Sequence, residues 1–288
     1  MSEAIDLDAL RAHIGTKIVE EDLATLSPLR GLVVTFDRED RVPEIGEPIE
    51  PGWHLTYFHA ASRKSTLGDD GLPTTGGVIP EMPFPRRMYA GTSFAFKSPI
   101  LVGDALKRET ELTDISLREG STGTLIFVTQ TRRIFTPRGL GLIEESYTVF
   151  REAVKTGEQS GVPKRNAPPD DLPWNRTVTA DAVSLFRYSA LTFNPHRIHY
   201  DRTYAMDVEG YPGLVIHGPY SQQCMIDLIR DSNPGKSIRT FKQRARAPLF
   251  DTAPFGVVGR PTQENDGAEV WAVTPEGRIA MQATVEFS

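Results

Sequence analysis

The chain is short of the features that would place it outside a reducing, aqueous compartment. It has one cysteine, Cys224, so no intramolecular disulfide can form and a disulfide-stapled secreted scaffold is excluded. No run of apolar residues approaches the ~20 that a membrane-spanning helix needs. The opening stretch MSEAIDLDALRAHIG is acidic and lacks the apolar centre of a signal peptide, which points to a cytoplasmic protein. A basic excess is missing too: 32 Lys and Arg stand against 38 Asp and Glu, a formal net charge of −6. That speaks against a general nucleic-acid binder and leaves room for a local basic patch that holds one anionic ligand. With 288 residues the chain can bury an ample core without a metal or a disulfide to staple it.

What is present is organised in two parts. The stretch VKTGEQSGVPKRNAPPDDLP, residues 154–173, is polar, Pro-rich and without apolar period, and reads as a linker. It separates residues 1–153 from residues 174–288, each long enough to hold its own core. The second halves of the two parts look alike. FAFKSPILVGD (94–104) is followed by DALKRETELTDISL, TLIFVTQTRRIF and IEESYTVFRE; FKQRARAPLFD (241–251) is followed by FGVVGRP, AEVWAVTPEG and IAMQATVEF. The period-two alternation in 124–135 and 278–287 is that of half-buried antiparallel strands, so the chain reads as a repeated α+β unit. Helices are few. DLDALRAHIG is a short one with Gly15 past its end. TADAVSLFRYSAL is predicted to start at an N-capping Thr179 and to turn Ala182, Val183, Phe186 and Ala190 to the core. PYSQQCMIDLIRD (219–231) is the most apolar candidate, with Pro219 in the first turn and Cys224, Met225, Leu228 and Ile229 buried.

One stretch, LTFNPHRIHYD (191–201), serves neither a core nor a helix. Three of the six histidines, His196, His199 and His217, lie in or soon after it. His217 belongs to EGYPGLVIHGPY (209–220), whose glycines precede the apolar helix. If Gly218 opens that helix, its N–H has no intrahelical acceptor and sits at the positive end of the dipole. Such a donor can hold a carbonyl oxygen that becomes negative during reaction, and glycine leaves the approach open. From the residues alone three readings stand: a catalytic group, a zinc site with Asp201 as fourth ligand, or a plain structural turn.

FNPHRIHYD followed by GYPGLVIHGP resembles the MaoC-like hydratase/dehydratase family of hot-dog proteins. The family signature is an acidic residue, then Asn-Pro, then His, with His-Gly opening the central helix. The likeness is strongest over 186–220 and extends more loosely to PFPRRMYAGTSFAFKSPILVGD. The two-part arrangement is similar to the double hot-dog subgroup that hydrates itaconyl-CoA and mesaconyl-CoA, and mitochondrial-type hydroxyacyl-thioester dehydratases share NxHxIHYD segments. The resemblance implies two antiparallel sheets, each wrapped around a central helix, with the N-terminal unit shaping the acyl tunnel and the C-terminal unit catalysing. Aligning on His199 puts Asn194 where the wider family has Asp, and His196 where it has Asn. An amide does not ionise near neutral pH, so a two-group acid/base scheme is in doubt.

The implied reaction is reversible addition of water to an α,β-unsaturated acyl-CoA, mesaconyl-C4-CoA or itaconyl-CoA giving citramalyl-CoA, with no cofactor and no metal. His199 would be the base, worth ~10²–10⁴-fold. Asn194 would hold the water by its carbonyl oxygen, and the Gly218 N–H would polarise the thioester carbonyl, a donor worth roughly 3–4 kcal/mol. His196 and His217 would brace the loop beside the substrate. Lys242, Arg244 and Arg246 share one face of a strand and are candidates for the CoA phosphates. Arg86 or Arg87 could pair with a free carboxylate on the acyl group. The alternatives are a β-hydroxyacyl-ACP dehydratase, a hot-dog thioesterase, and a non-catalytic acyl-CoA binding protein. The expected partners are the thioester and, for assembly, either a second copy (a homodimer) or none (a pseudo-dimeric monomer).

Overall fold

The computed structural model describes residues 5–39, 41–60, 62–74, 77–120, 123–152 and 166–288. Most of the expected linker, 154–165, lies outside the described residues. The first half of the chain supplies β1 (Lys17–Leu23), β2 (Arg86–Phe96), β3 (Ala105–Gly120), β4 (Gly123–Thr136) and β5 (Gly139–Arg151). The second supplies β6 (Trp174–Val178), β7 (Ile238–Ala245), β8 (Phe255–Pro261), β9 (Gly267–Val273) and β10 (Ile279–Phe287). The strands hydrogen-bond in the order β1-β3-β4-β5-β2-β7-β10-β9-β8-β6. Read from either edge inward, the two halves have the same order, so the faint likeness between 94–104 and 241–251 is a structural repeat.

The halves meet at β2 and β7. Phe94 lies directly opposite Phe241, the same position of the repeat in each unit, and their rings stack 6.0 Å apart. Both are fully buried, and removing a phenyl ring from such a place costs about 3–5 kcal/mol. Beside this pair β2 carries a bulge between Tyr89 and Gly91. Gly91 has a φ of 146°, and a Cβ there would run into the Gln243 carbonyl of β7, so only glycine lets the two backbones approach. The repeated aspartates also do equivalent work. Asp104 takes the Leu101 N–H and pairs with Arg138; Asp251 takes the Leu214 N–H and pairs with Arg202.

Among the described residues four α-helices accompany the sheet: α1 (Leu7–Arg11), α2 (Leu26–Thr35), α3 (Ala182–Leu191) and α4 (Gly218–Ser232). In α4 every residue from Tyr220 to Ile229 is buried, as its sequence predicts. The two expected sheets join edge to edge through β2 and β7 into one continuous sheet. One expectation needs correction. Among the described residues, the first half has no helix like α4 inside it. Between β1 and β2 it has α2 and two 3-10 turns, Trp53–Thr56 and Lys64–Thr66, in a stretch broken by Pro43, Pro48, Pro51, Pro73, Pro80 and Pro83. The turn of α3 also differs. Asp181, not Thr179, caps it in a reciprocal capping box with Ser184. The helix buries Leu185, Tyr188 and Ser189, while Ala182, Val183, Phe186 and Ala190 face outward.

The inner face of the first half is unusually polar. In an antiparallel pair, opposite residues share a face, as do alternate residues along a strand. Arg87 opposes Phe150, Tyr89 opposes Thr148, and Phe94 opposes Glu144; Arg132 of β4 opposes Glu144, and Thr110 of β3 opposes Arg132. This face looks toward α4, because the Tyr89 hydroxyl reaches Gln222 at 3.1 Å and Gln243 at 2.7 Å.

Candidate active site

The LTFNPHRIHYD segment is a tightly tied loop. Phe193 ends α3 with a φ of 49°, a left-handed turn that a bulky residue holds at a cost of about 1–3 kcal/mol. Its ring stacks on His59, 5.4 Å away, and the His59 Nε2 lies 3.0 Å from the Leu191 carbonyl. The Asn194 N–H donates to the Ser189 carbonyl at 2.8 Å. The Asn194 side-chain oxygen accepts from the His196 N–H at 3.1 Å, closing an Asx turn over Pro195. A 3-10 turn, Arg197–His199, follows. The first half of the chain grips it: the Arg197 N–H donates to the Asp70 carbonyl at 2.8 Å and its guanidinium to the Asp69 carbonyl at 2.9 Å.

This loop carries His199 to the start of α4. Its Nδ1–H donates to the Val215 carbonyl at 2.7 Å, which fixes the tautomer and leaves Nε2 as a lone pair. The His199 ring stacks on His217, with centroids 3.7 Å apart, and meets His196 edge-on at 5.5 Å. His217 is the N-cap residue of α4, fully buried, with Nε2 2.8 Å from the Ser189 hydroxyl. All three imidazoles are neutral at pH 7. Burial lowers His199 to about 3 against the raising effect of its bond to Val215. Burial and then the nearby Arg87 charge lower His196 to about 4, and burial takes His217 well below its ordinary value. A neutral, oriented imidazole is what a general base requires.

Gly218 follows His217 as the first residue of α4, so its N–H is one of the helix's unpaired donors. A Cβ there would run into the Tyr89 ring of β2. Glycine is therefore needed because the first half of the molecule lies against the helix end.

The structure separates the remaining candidates. His196, His199, His217 and Gly218 come together. Asn194 joins them, and its side-chain oxygen, expected to hold a water, accepts one hydrogen bond from the His196 N–H. Arg86 is tied to Glu209 and Tyr211, each at 3.1 Å. Arg87 points to the inner face beneath His196. Its guanidinium lies 5.9 Å from the Phe150 ring and forms no ion pair among the described residues. The residue is exposed, while the protein atoms packed around its guanidinium, and then Arg132, lower its pKa. Lys242, Arg244 and Arg246 do not reach the site. Lys242 and Arg244 lie on the exposed outer face of β7 and Arg246 is exposed just past its end, whereas Gln243 points inward to Tyr89. The zinc reading finds no set of three ligating groups among the described residues, and Asp201 is paired with Arg197 at 2.7 Å. Sequence reasoning missed Ser189, Tyr89, Arg132 and Val215. Tyr89 and Arg132 sit at strand positions whose face could be counted from period two, but nothing local marks Ser189 or Val215.

An inner sheet face, one buried helix and an oriented His beside the helix N-terminus define a hot-dog thioester enzyme. Comparison with known proteins agrees. Residues 52–251 match the family model for hydroxyacyl-thioester dehydratase type 2. The chain is similar to a mesaconyl-C(4)-CoA hydratase of Chloroflexus aurantiacus, 40% identical over 282 residues that cover 96% of this chain and 97% of the relative. Among solved structures it superposes on a MaoC-like dehydratase from Phytophthora capsici with a TM-score of 0.65, 15% identity and 99% coverage of both chains. A Mycobacterium tuberculosis protein described as a double hot dog gives 0.62 at 12% identity, covering 98% of this chain and 97% of that one. The chain belongs to the hydroxyacyl-thioester dehydratase type 2 family, within the MaoC-like double hot dogs, and is a hydro-lyase of acyl thioesters.

Proposed function

We propose that this enzyme adds water reversibly to a short, carboxylated enoyl-CoA, with mesaconyl-C4-CoA going to citramalyl-CoA as the leading case and itaconyl-CoA next. One observation carries the mechanism: His199 is held neutral with Nε2 free, ring to ring with the cap residue of the helix that Gly218 opens. His199 Nε2 takes a proton from water as the water oxygen attacks the β-carbon. Electron density moves onto the thioester oxygen, where the Gly218 N–H and the helix dipole stabilise it. The same imidazole then returns the proton to the α-carbon, a one-base route with syn geometry. Its buried setting disfavours a standing imidazolium, so the proton is passed on rather than stored.

Asn194 shapes the loop through its Asx turn, and its amide nitrogen is left to hold the water oxygen. His196 and His217 keep the His199 ring in place. The first half of the molecule lends Tyr89 and Arg87 as walls of the acyl pocket, so the units divide the labour. One chain already pairs two hot-dog units through β2 and β7. The likeness to a mesaconyl-C(4)-CoA hydratase supports CoA over a protein carrier, and the basic inner face supports a carboxylated acyl group.

The test is incubation with mesaconyl-C4-CoA, following loss of enone absorbance and any free thiol. Loss of absorbance without thiol is expected from hydration, and thiol release would mean thioester hydrolysis instead. His199→Ala should lower kcat by ~10²–10⁴-fold. Activity that survives that change within a few-fold would remove His199 as the base.

A further inference from the structure

Among the described residues, the inner face of the first half and the start of α4 leave one guanidinium without an ion pair and two buried neutral groups without a partner. Three guanidinium groups gather there. Arg108 is held by Glu20 at 2.6 Å and Arg132 by Glu144 at 2.5 Å, while Arg87 has no ion pair among the described residues. Asp70 acts on Arg87 only through space, and one of its carboxylate oxygens already accepts the Leu72 N–H at 2.8 Å. Burial, and after it the Arg132 charge, lowers the pKa of both Arg87 and Arg108, so the three charges sense one another. Glu144 is fully committed: burial alone would raise its pKa, and Arg132 followed by His54 pulls it down to about 2 instead.

Two neutral groups add to the excess. Among the described residues the buried Thr110 hydroxyl and the buried Gln222 Nε2 have no hydrogen-bond partner. Thr110 stands directly opposite Arg132 in the strand register. The Gln222 oxygen is engaged by the Tyr89 hydroxyl, leaving the amide N–H groups unpaired one helical turn below Gly218. A buried donor is costly to leave unmet, so a polar ligand or an ordered water at this place would gain hydrogen bonds. A carboxylate fits this imbalance, since it brings acceptors only and takes a guanidinium side-on.

We propose that Arg87 and Arg132, with the Thr110 hydroxyl and the Gln222 amide, form a subsite for the free carboxylate of a dicarboxylic acyl thioester. The proposal rests on the hydratase reading above and specifies its substrate class. In a fumaryl-type enoyl thioester the carboxylate sits on the β-carbon, one bond from the atom that water attacks. Arg87, which acts on His196 of the catalytic loop, is placed to hold it there. An acyl group without a carboxylate would leave these donors unmet in the bound state, so the subsite selects against plain alkyl chains.

The experiment compares kcat/KM for mesaconyl-C4-CoA and for crotonyl-CoA, which lacks the carboxylate, in wild type, Arg87→Gln and Thr110→Val. Arg132 is left alone, because its loss would strand the buried Glu144. Both substrates carry the same CoA, so any effect on CoA phosphates moves both rates together. The ratio of the two kcat/KM values is expected to fall ~100-fold in Arg87→Gln and about fivefold in Thr110→Val. A ratio that stays within about twofold of wild type in Arg87→Gln overturns the subsite. If Arg87→Gln does not fold, the near-isosteric Thr110→Val decides, and an unchanged ratio there overturns it. Wild-type protein that hydrates crotonyl-CoA but not mesaconyl-C4-CoA removes the subsite and keeps the hydratase; protein that hydrates neither removes both.

Discussion

The two halves of the chain share a strand order and differ in what they put on it. The second half keeps a long helix, α4, and places three neutral imidazoles at its start. The first half has 3-10 turns where a helix would lie and fills its inner sheet face with Arg87, Arg108, Arg132 and Glu144. On the proposed mechanism the first unit has to build neither a base nor an oxyanion site. What it gained is charge beside the reacting centre, where a lone hot dog has only a second copy of itself.

The sharpest way to break this comparison is to remove one buried histidine from each half. His199→Gln should cost ~10²–10⁴-fold in kcat, because the proton has no other acceptor. His54 is also buried, 3.7 Å from Glu144 and edge-on to Phe94 at 4.8 Å, but it faces no helix end. His54→Gln should instead cost about 1–3 kcal/mol of stability, read by denaturant unfolding. Equal kinetic losses in the two variants would mean that both halves catalyse.

The second break is at the seam. Phe94→Ala and Phe241→Ala should each cost about 3–5 kcal/mol, and because the rings touch, the double variant should cost less than the sum. Strict additivity would show that the stacked pair is not what joins the units.

How much of this was legible in the sequence follows from how local each signal is. The strand segments, the apolar α4 and the repeat from Phe94 and Phe241 could be read because period-two alternation and a capped apolar run are local. Arg87 and Arg86 look alike in the sequence. Strand phase separates them, and the bulge at Tyr89/Gly91 that sets the phase depends on the backbone of β7. Lys242 and Arg244 share one face of β7, with Arg246 just past its end, but which face is inner is decided by the partner strand. Asn194 was legible as a special residue. Its Asx turn was not foreseen, since an Asn next to a Pro can turn its oxygen to backbone or to solvent.

A smaller effect distinguishes the halves by pH. His199 and His196 have folded pKa values of about 3 and about 4, below the ordinary 6.5. The unfolded chain therefore binds more protons below pH 6.5, and stability present above that pH is lost as pH falls toward the folded values. Between pH 7 and pH 5 each imidazole should cost about 2 kcal/mol, seen as a falling melting temperature. His199→Gln should flatten that slope. Turnover should show no acid limb near 6.5, because the active neutral imidazole persists well below it; a limb there would mean His199 is more solvated than this site allows.

The smallest effect tests the phase of α3 against its neighbour α2. Sequence periodicity assigned Val183 and Phe186 to the core. Tertiary contacts instead bury Leu185 and Tyr188, and Tyr188 packs edge-on against His217 at 5.1 Å. The helix is rotated so that Ser189 can reach His217 and the Asn194 N–H, and the apolar residues on the other side are left in solvent. Phe186→Ser should then change stability by no more than about 0.5 kcal/mol, while Leu185→Ala costs about 2–5 kcal/mol. The reverse ranking would restore the orientation read from the sequence and would pull Ser189 away from the histidine cluster.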